Sequence, residues 1–553
     1  MMMATIDASI VIIAMPAIFR GIGLNPLTPG NVTYLLWMII GYLLVQSIVV
    51  VTLGRLGDIF GRVKIYNVGF VVFTVASIGL SLDPFTGAHG ALWLILWRVA
   101  QAFGGSMLMA NSAAILTDAF PPGQRGLALG TNQIAGISGQ FIGLLLGGLL
   151  AAWDWRLVFW VNVPIGLAGT IWAYVSLKEI AHTRRARIDW VGNILFAAGA
   201  GILLTAITFG IRPYKHSATS WTSPMVLAGL IGGVVLLTVF GIVETKVAEP
   251  MFRMRLFKIR AFAAGNAASL MGAIARGGLQ FMLVIWLAGI WLPLHGYNFV
   301  DTPLWAGIYM LPLTAGFLIA GPVSGILSDR YGARPFATAG LLLAACCFIG
   351  LMSLPVDFPY PVFALLIFGN GVGSGLFASP NSAAIMSSVP AYHRGAASGM
   401  RSTFQNSGMS LSIGIFFSLM IAGLASSLPR TLTAGLTREG VPLAAASHIA
   451  HLPPVSTVFA ALLGYNPMRN LLAPTGLLHT MPAHNVAVLT GKTFFPTLIS
   501  APFHHGLTIV FIAAASMSVL GAIVSLLRGK PFIFEDEPPV PDEQATSVLE
   551  EKK

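Results

Sequence analysis

The sequence predicts an all-α polytopic membrane protein: two six-helix bundles plus two extra helices, fourteen transmembrane helices in all. Three observations predict it. Only 9% of the 553 residues are charged and 56% are apolar, with a mean hydropathy of +0.80, whereas a soluble domain carries roughly a quarter charged residues because its surface faces water. The apolar residues gather into runs of the about 20 positions that a helix needs to cross the hydrocarbon core. The first half of the chain also returns, in outline, in the second. The net charge of +11 then reads as a topology signal rather than as affinity for nucleic acid.

Taken in order, spans are expected near residues 4–22, 32–56, 65–83, 90–118, 127–152, 157–177, 189–211, 225–243, 262–292, 302–327, 336–355, 360–388, 396–424 and 506–528. The first has no basic segment before it and no small-residue cleavage site after it, so it reads as a span and not as a signal peptide. The even count puts both termini on one face. With that face in the cytoplasm, 20 Lys and Arg lie inside, 8 outside and 3 within spans, the bias expected of an inner face. A multi-pass protein of the cytoplasmic (inner) membrane follows, with the lipid bilayer as its main partner and a monomer as its expected unit.

The spans divide the chain into a first bundle (1–178), a linker carrying the two extra helices (179–261), a second bundle (262–528) and an acidic, proline-bearing tail (529–553) expected to be disordered. Met251-Phe-Arg-Met-Arg-Leu-Phe-Lys-Ile-Arg260 alternates apolar and basic residues, as a segment snorkelling at the headgroups does. The long outer loop 425–505 holds an apolar run, Val455 to Tyr465, about half the length of a span, which reads as an amphipathic or packed cap. Its six histidines, at 448, 451, 479, 484, 504 and 505, are irregularly spaced without a carboxylate cluster, so no metal is expected. Cys346 and Cys347 are adjacent within an apolar run and read as inert filling.

The repeat is specific. Gly54-Arg-Leu-Gly-Asp58-Ile-Phe-Gly61-Arg62 returns as Gly325-Ile-Leu-Ser-Asp329-Arg330-Tyr-Gly332-Ala, Asn111-Ser-Ala-Ala-Ile115 as Asn381-Ser-Ala-Ala-Ile385, and Arg125-Gly126 with Gly130 and Gly139 as Arg394-Gly395 with Gly399 and Gly408. The offset stays between 269 and 271. Both copies keep one membrane orientation, the arrangement of two halves that rock around a midplane site.

These residues resemble the major facilitator superfamily and, within it, the fourteen-span drug:proton antiporter family of the EmrB/QacA type. The loop after the second span matches G-x-L-x-D-x-x-G-R-x-K through Gly54, Leu56, Asp58, Gly61, Arg62 and Lys64. The first span matches L-D-x-T-x-x-x-x-A-x-P through Asp7, Ser9, Ala14 and Pro16, and the fourth matches R-x-x-Q-G through Arg98 and Gln101. The antiporter glycine motif is met by Gly130, Gly139, Gly143, Gly147 and Gly148. Leu144 replaces a proline of that motif, Ala102 a glycine and Ile59 a basic residue that the second copy keeps as Arg330. Asp7 stands six residues from the start, closer than in the family, as a misassigned start codon would give. The resemblance implies a proton-coupled multidrug efflux transporter, of the kind that confers antibiotic resistance, exporting small amphipathic compounds and needing a proton gradient but no cofactor. A dedicated transporter of one endogenous metabolite or lipid precursor is the alternative.

An antiporter needs a group in the membrane that loads and unloads protons. Asp7 is the only carboxylate well inside a span of either bundle, and ionisable groups at that depth are costly unless functional. Burial favours a neutral carboxyl and a nearby cation a charged one, so a moving partner would switch it; by resemblance that partner is Arg98. Asp58 is expected to accept hydrogen bonds from a helix N-terminus while Arg62 reaches another helix, forming a breakable latch, repeated at Asp329 and Arg330. Arg276 falls near the repeat counterpart of Asp7. Arg276 or Arg401 would line a cavity that tolerates neutral or anionic substrates, alongside Gln101, Asn111, Gln133, Gln280 and Gln405. A membrane enzyme would need a His, Ser or metal constellation at membrane depth. All eleven histidines read as loop or loop-edge residues, so no catalytic residue is assigned.

Overall fold

The computed structural model describes residues 1–529 except 26–27, 29, 121–124, 180–188, 211–213, 215–218, 248–249, 251, 391–393 and 465. The side chains of Val32, Ile39, Thr117, residues 125–130, Gln133, Asp329, Arg394 and Gly395 also lie outside the description. The expectations placed on Gly130, Gln133, Asp329 and the tail from 530 therefore fall outside the described residues.

Among the described residues, fourteen helices are long and apolar enough to cross a membrane. In chain order they are α1 Met2–Gly21, α2 Asn31–Phe60, α3 Arg62–Ser81, α4 Gly87–Ala119, α5 Arg125–Trp153, α6 Leu157–Ser176, α7 Trp190–Gly210 and α8 Pro224–Glu244. There follow α9 Arg260–Leu294, α10 Thr302–Ser328, α11 Ala333–Met352, α12 Tyr360–Ser387, α13 Arg394–Arg438 and α14 Phe494–Leu526. Helices α1–α6 pack as one bundle and α9–α14 as the other. We name the membrane faces by content: the tail face, where α1 begins and α14 ends, and the cap face opposite.

Small residues decide the close helix contacts, as they do where lipid removes the hydrophobic drive for association. Gly139, Gly143 and Gly147, four apart on α5, lie against α1; a Cβ on Gly143 would sit 2.5 Å from the Ile6 carbonyl and 2.6 Å from Ser9 Oγ. Gly148, on the neighbouring face of α5, abuts the Leu304 backbone of the second bundle. Gly307 returns the contact against the Leu144 carbonyl. Ser47–Ser410 (3.1 Å) and Gln140–Gln280 (2.7 Å) join the bundles nearer mid-depth.

Helix α7 lies beside α2 and α13, so the extra pair straddles the seam. Phe196, Phe240 and Phe252 interlock there with ring centroids 5.4 to 5.7 Å apart. This corrects the headgroup reading of the 251–260 stretch: Phe252 and Leu256 are buried in the protein, because the seam offers them an apolar cluster. Helix α8 turns Met225, Ile231, Val234 and Ile242 outward, as a lipid-facing helix does.

The cap face departs furthest from expectation. Helix α13 runs 45 residues to Arg438 and α14 starts at Phe494, so the loop expected over 425–505 contracts to 439–493. Leu424, Leu428, Leu432 and Leu436, all fully buried, form an i, i+4 stripe in the same apolar core as Phe495, Ile499 and Phe503 of α14. That stripe stabilises both helices against each other beyond the bilayer, where membrane hydropathy no longer identifies them. His504 and His505 consequently lie inside α14, not in the loop, with the His504 ring 6.1 Å from that of Trp286. The run from Val455 forms the short helix Pro454–Leu462, whose residues 455 to 462 are buried. It seats on α9 where that helix widens to π geometry at Leu287–Trp291.

Candidate functional site

Five helices of the first bundle converge on Asp7, which is fully buried. Its Oδ2 accepts from Arg98 Nη1 at 2.5 Å, and its Oδ1 accepts from Gln101 Nε2 at 2.9 Å and Asn162 Nδ2 at 2.8 Å. Arg98 and Gln101, one turn apart on α4, reach the carboxylate together and also bond each other at 2.6 Å. Gln101 Nε2 lies within 2.9 Å of Ser77 Oγ on α3. Tyr42 of α2 closes the far side, its ring centroid 4.1 Å from the Arg98 guanidinium carbon, near enough for a cation–π contact.

This is a charge-neutral cluster sealed from solvent, and removing one member of such a pair costs about 3–5 kcal/mol because the other charge is stranded. It has spare capacity. Tyr42 Oη, Arg98 Nε and Asn162 Oδ1 are buried without a hydrogen-bond partner. Asp7, Arg98 and Gln101, which the sequence singles out, are thus brought together, although Gln101 belongs to this cluster and not to a substrate cavity. Tyr42, Ser77 and Asn162 were missed. The available signal was polarity alone: an Asn within the apolar span Leu157–Ser176.

The second cluster lies at the tail face. Arg62 bridges Asp58 of α2 (2.8 Å) and both oxygens of Asp118 in the last turn of α4 (2.8 and 2.6 Å). Gly61 adopts φ +105°, the left-handed region that a residue without Cβ enters at no steric cost, and so turns α2 into α3. The amides at the start of α3 are not accepted by Asp58. Glu179, which follows α6, accepts from Arg62 N (3.1 Å) and Val63 N (3.0 Å); Asp58 is instead occupied by the Arg62 guanidinium. Among the described residues every partner lies in α2–α4 or, as Glu179, directly after α6. In the second copy the repeat offset puts Ala333 at the position of Arg62 and Ser388 at that of Asp118, so the triad cannot form. Arg330 is exposed, 5.6 Å from the Tyr331 ring.

A small cavity lies in the second bundle and is lined by Arg276, Arg401, Gln405 and Asn381 among others. Asn111, expected to line a cavity, is buried and donates to the Met107 carbonyl at 2.9 Å. Its side chain lies where a Cβ on Gly57 would be, so it is a packing residue. Gln280 sits on the seam with Gln140.

A family profile described as Major Facilitator Superfamily matches residues 1–413. The chain belongs to this superfamily. It is 27% identical over 546 residues to the tetracenomycin C resistance and export protein of Streptomyces glaucescens, spanning 98% of this chain and 92% of that protein. It is 31% identical over 451 residues to the methyl viologen resistance protein SmvA of Salmonella typhimurium, spanning 80% and 84%. The fold matches a bacterial homolog of the human lysosomal transporter Spinster, in an inward-facing and unoccupied conformation, with a TM-score of 0.55 at 14% identity, covering 98% and 96%. The protein is therefore a multi-pass membrane transporter of the major facilitator fold with multidrug and export-type relatives, and not an enzyme.

Proposed function

We propose that this transporter exports small amphipathic compounds across the cytoplasmic membrane in exchange for protons, its tail face inside. The observation that carries the reading is the Asp7 cluster: a carboxylate at membrane depth whose charge is held by Arg98, Gln101 and Asn162. When α1 and α4 shift apart, Arg98 ceases to compensate Asp7 and the carboxylate takes a proton, since a lone buried charge is the costliest arrangement. When they return, Arg98 expels it. Asn162 Oδ1, now without a partner, can accept from the protonated carboxyl and so supports the intermediate state.

The glycine contacts couple this event to the rest of the molecule. Helix α1, which carries Asp7, is seated on α5, and the next face of α5 abuts the second bundle through Gly148. A shift of α1 therefore reaches the seam through packed backbone. The export direction draws on the printed names of the relatives, tetracenomycin C resistance and export and methyl viologen resistance.

The test is flux in proteoliposomes under an imposed pH gradient, with cationic, neutral and anionic amphipathic compounds. Asp7→Asn is expected to abolish gradient-driven movement of whichever compounds the native protein moves. Undiminished proton-driven flux in that variant would sink the mechanism.

A further inference from the structure

The two bundles treat buried cations in opposite ways. In the first, Arg98 is neutralised by Asp7. In the second, the repeat offset of about 270 brings the position of Asp7 close to Arg276 and that of Arg98 next to Asn370, so an acid and a base are replaced by a base and a neutral amide. Nothing restores the balance locally. Among the described residues, no Asp or Glu lines the cavity of the second bundle.

The side chains there are visibly under-used. The Arg276 guanidinium makes no hydrogen bond or ion pair among the described residues and sits 5.2 Å from the Phe317 ring. Arg401 donates only to neutral oxygens, Ser382 Oγ at 3.0 Å and Gln405 Oε1 at 3.3 Å. Asn370 is 1% exposed, and neither its Oδ1 nor its Nδ2 has a partner. Phe317, Phe348 and Phe377 supply apolar wall. An uncompensated arginine at the centre of a membrane helix costs about 2.5–3.5 kcal/mol on insertion scales, and the cavity holds two. A bound anion would relieve that cost, because guanidinium pairs with carboxylate or sulfonate in a two-pronged geometry.

We propose that this cavity is a binding site for small amphipathic organic anions, an acidic head held by Arg276 and Arg401 with Asn370 bonding a neighbouring polar atom, and an aromatic body against the phenylalanine wall. The site rests on the reading of the chain as a transporter of small amphipathic compounds and gives that reading a preferred charge. It leaves the Asp7 cluster to handle protons alone.

The test uses two probes that share a ring system and differ in charge, 2-naphthoate and a trimethylammonium derivative of 2-methylnaphthalene, titrated against the full-length protein in nanodiscs of neutral lipid. Native protein is expected to bind the naphthoate at least tenfold more tightly than the ammonium probe. Arg276→Gln and Arg401→Gln should each weaken naphthoate binding tenfold or more and narrow that preference. Equal affinity for the two probes in the native protein overturns the proposal, and this comparison needs no variant to fold. So does naphthoate binding that survives both substitutions, or that is abolished by adding phosphatidylglycerol to the nanodisc, which would assign the arginines to a lipid headgroup. Binding is read without a gradient, so the two readings fail separately. Naphthoate that binds but is never moved in proteoliposomes counts against the exporter reading, whereas cationic compounds moved with naphthoate unbound count against this site alone.

Discussion

Glu179 and Val63 lie far apart in sequence, yet the carboxylate that follows α6 accepts the amide that opens α3 at 3.0 Å. Helix N-termini leave their first amides unpaired, and here the sixth span returns to supply the acceptor. Together with the Arg62 bridges this ties α2, α3, α4 and α6 on one face. Because no partner among the described residues lies in the second bundle, the cluster is expected to stabilise a bundle rather than to latch two. Glu179→Ala should lower the thermal stability of the solubilised protein by roughly 1 kcal/mol, the scale of a helix cap, with transport per folded molecule changed less than about twofold. Flux lost at unchanged melting temperature would restore the latch.

The glycines of α5 give a contrast between positions. A Cβ on Gly143 would press on the Ile6 backbone, whereas a Cβ on Gly232 in α8 meets nothing within 4 Å. Gly143→Ala is therefore expected to displace α1 and cut transport at least tenfold. Gly232→Ala should be neutral or stabilising by about 0.5–1 kcal/mol through helix propensity. Flux and melting curves for the two variants side by side decide it; identical behaviour would show that α5 does not position Asp7.

Asp83, between α3 and α4, offers a pH prediction. It is buried, and that burial raises its pKa above the ordinary carboxylate value, although its Oδ1 accepts from Phe85 N at 2.9 Å and Arg156 stands near. Its other oxygen has no partner. A raised folded value means that the folded state holds the proton more tightly than the unfolded chain, so this group opposes folding increasingly as pH rises through the carboxylate range. Asp83→Asn keeps an acceptor for Phe85 and should raise the melting temperature at pH 7. The gain should fade as pH falls below the ordinary carboxylate value; a gain independent of pH would point to another cause.

The leucine stripe of α13 should be separable from transport chemistry. Leu432 is fully buried beyond the predicted span, and truncating such a side chain costs about 2–5 kcal/mol. Leu432→Ala is expected to expose the 439–493 segment, seen as at least tenfold faster limited proteolysis there, while the α1–α6 fragments stay resistant. Unchanged cleavage would mean that the cap holds without the stripe.

Much of the frame was legible because membranes impose a coarse grammar: length and hydropathy locate spans, and a repeat with a constant offset pairs them. Asp7, Arg98 and Gln101 were legible because charge and amide groups at membrane depth are rare. Asn162 and Tyr42 were not, since convergence of α2 and α6 on Asp7 is a property of packing that no spacing in the chain records. Glu179 was overlooked for the related reason that a cap contributed from a hundred residues away leaves no local pattern. The extension of α13 and α14 escaped for a different reason. Hydropathy reports transfer into lipid, and a stripe of every fourth residue buried against a partner helix has to be read by period instead.

At 45 residues, α13 would extend roughly 68 Å as an unbroken helix, from the tail face through the bilayer to the folded segment beyond it. Such a rod acts as a lever. A tilt of about 10° about its tail-face end would carry its far end through roughly 12 Å, and α14 packs along it. Any rocking of the second bundle would then be magnified on the cap face, sweeping the 439–493 segment across the membrane surface. The cap would behave as the visible pointer of a motion whose cause lies buried, and a fluorophore placed on it would report turnover without touching the sites that perform it.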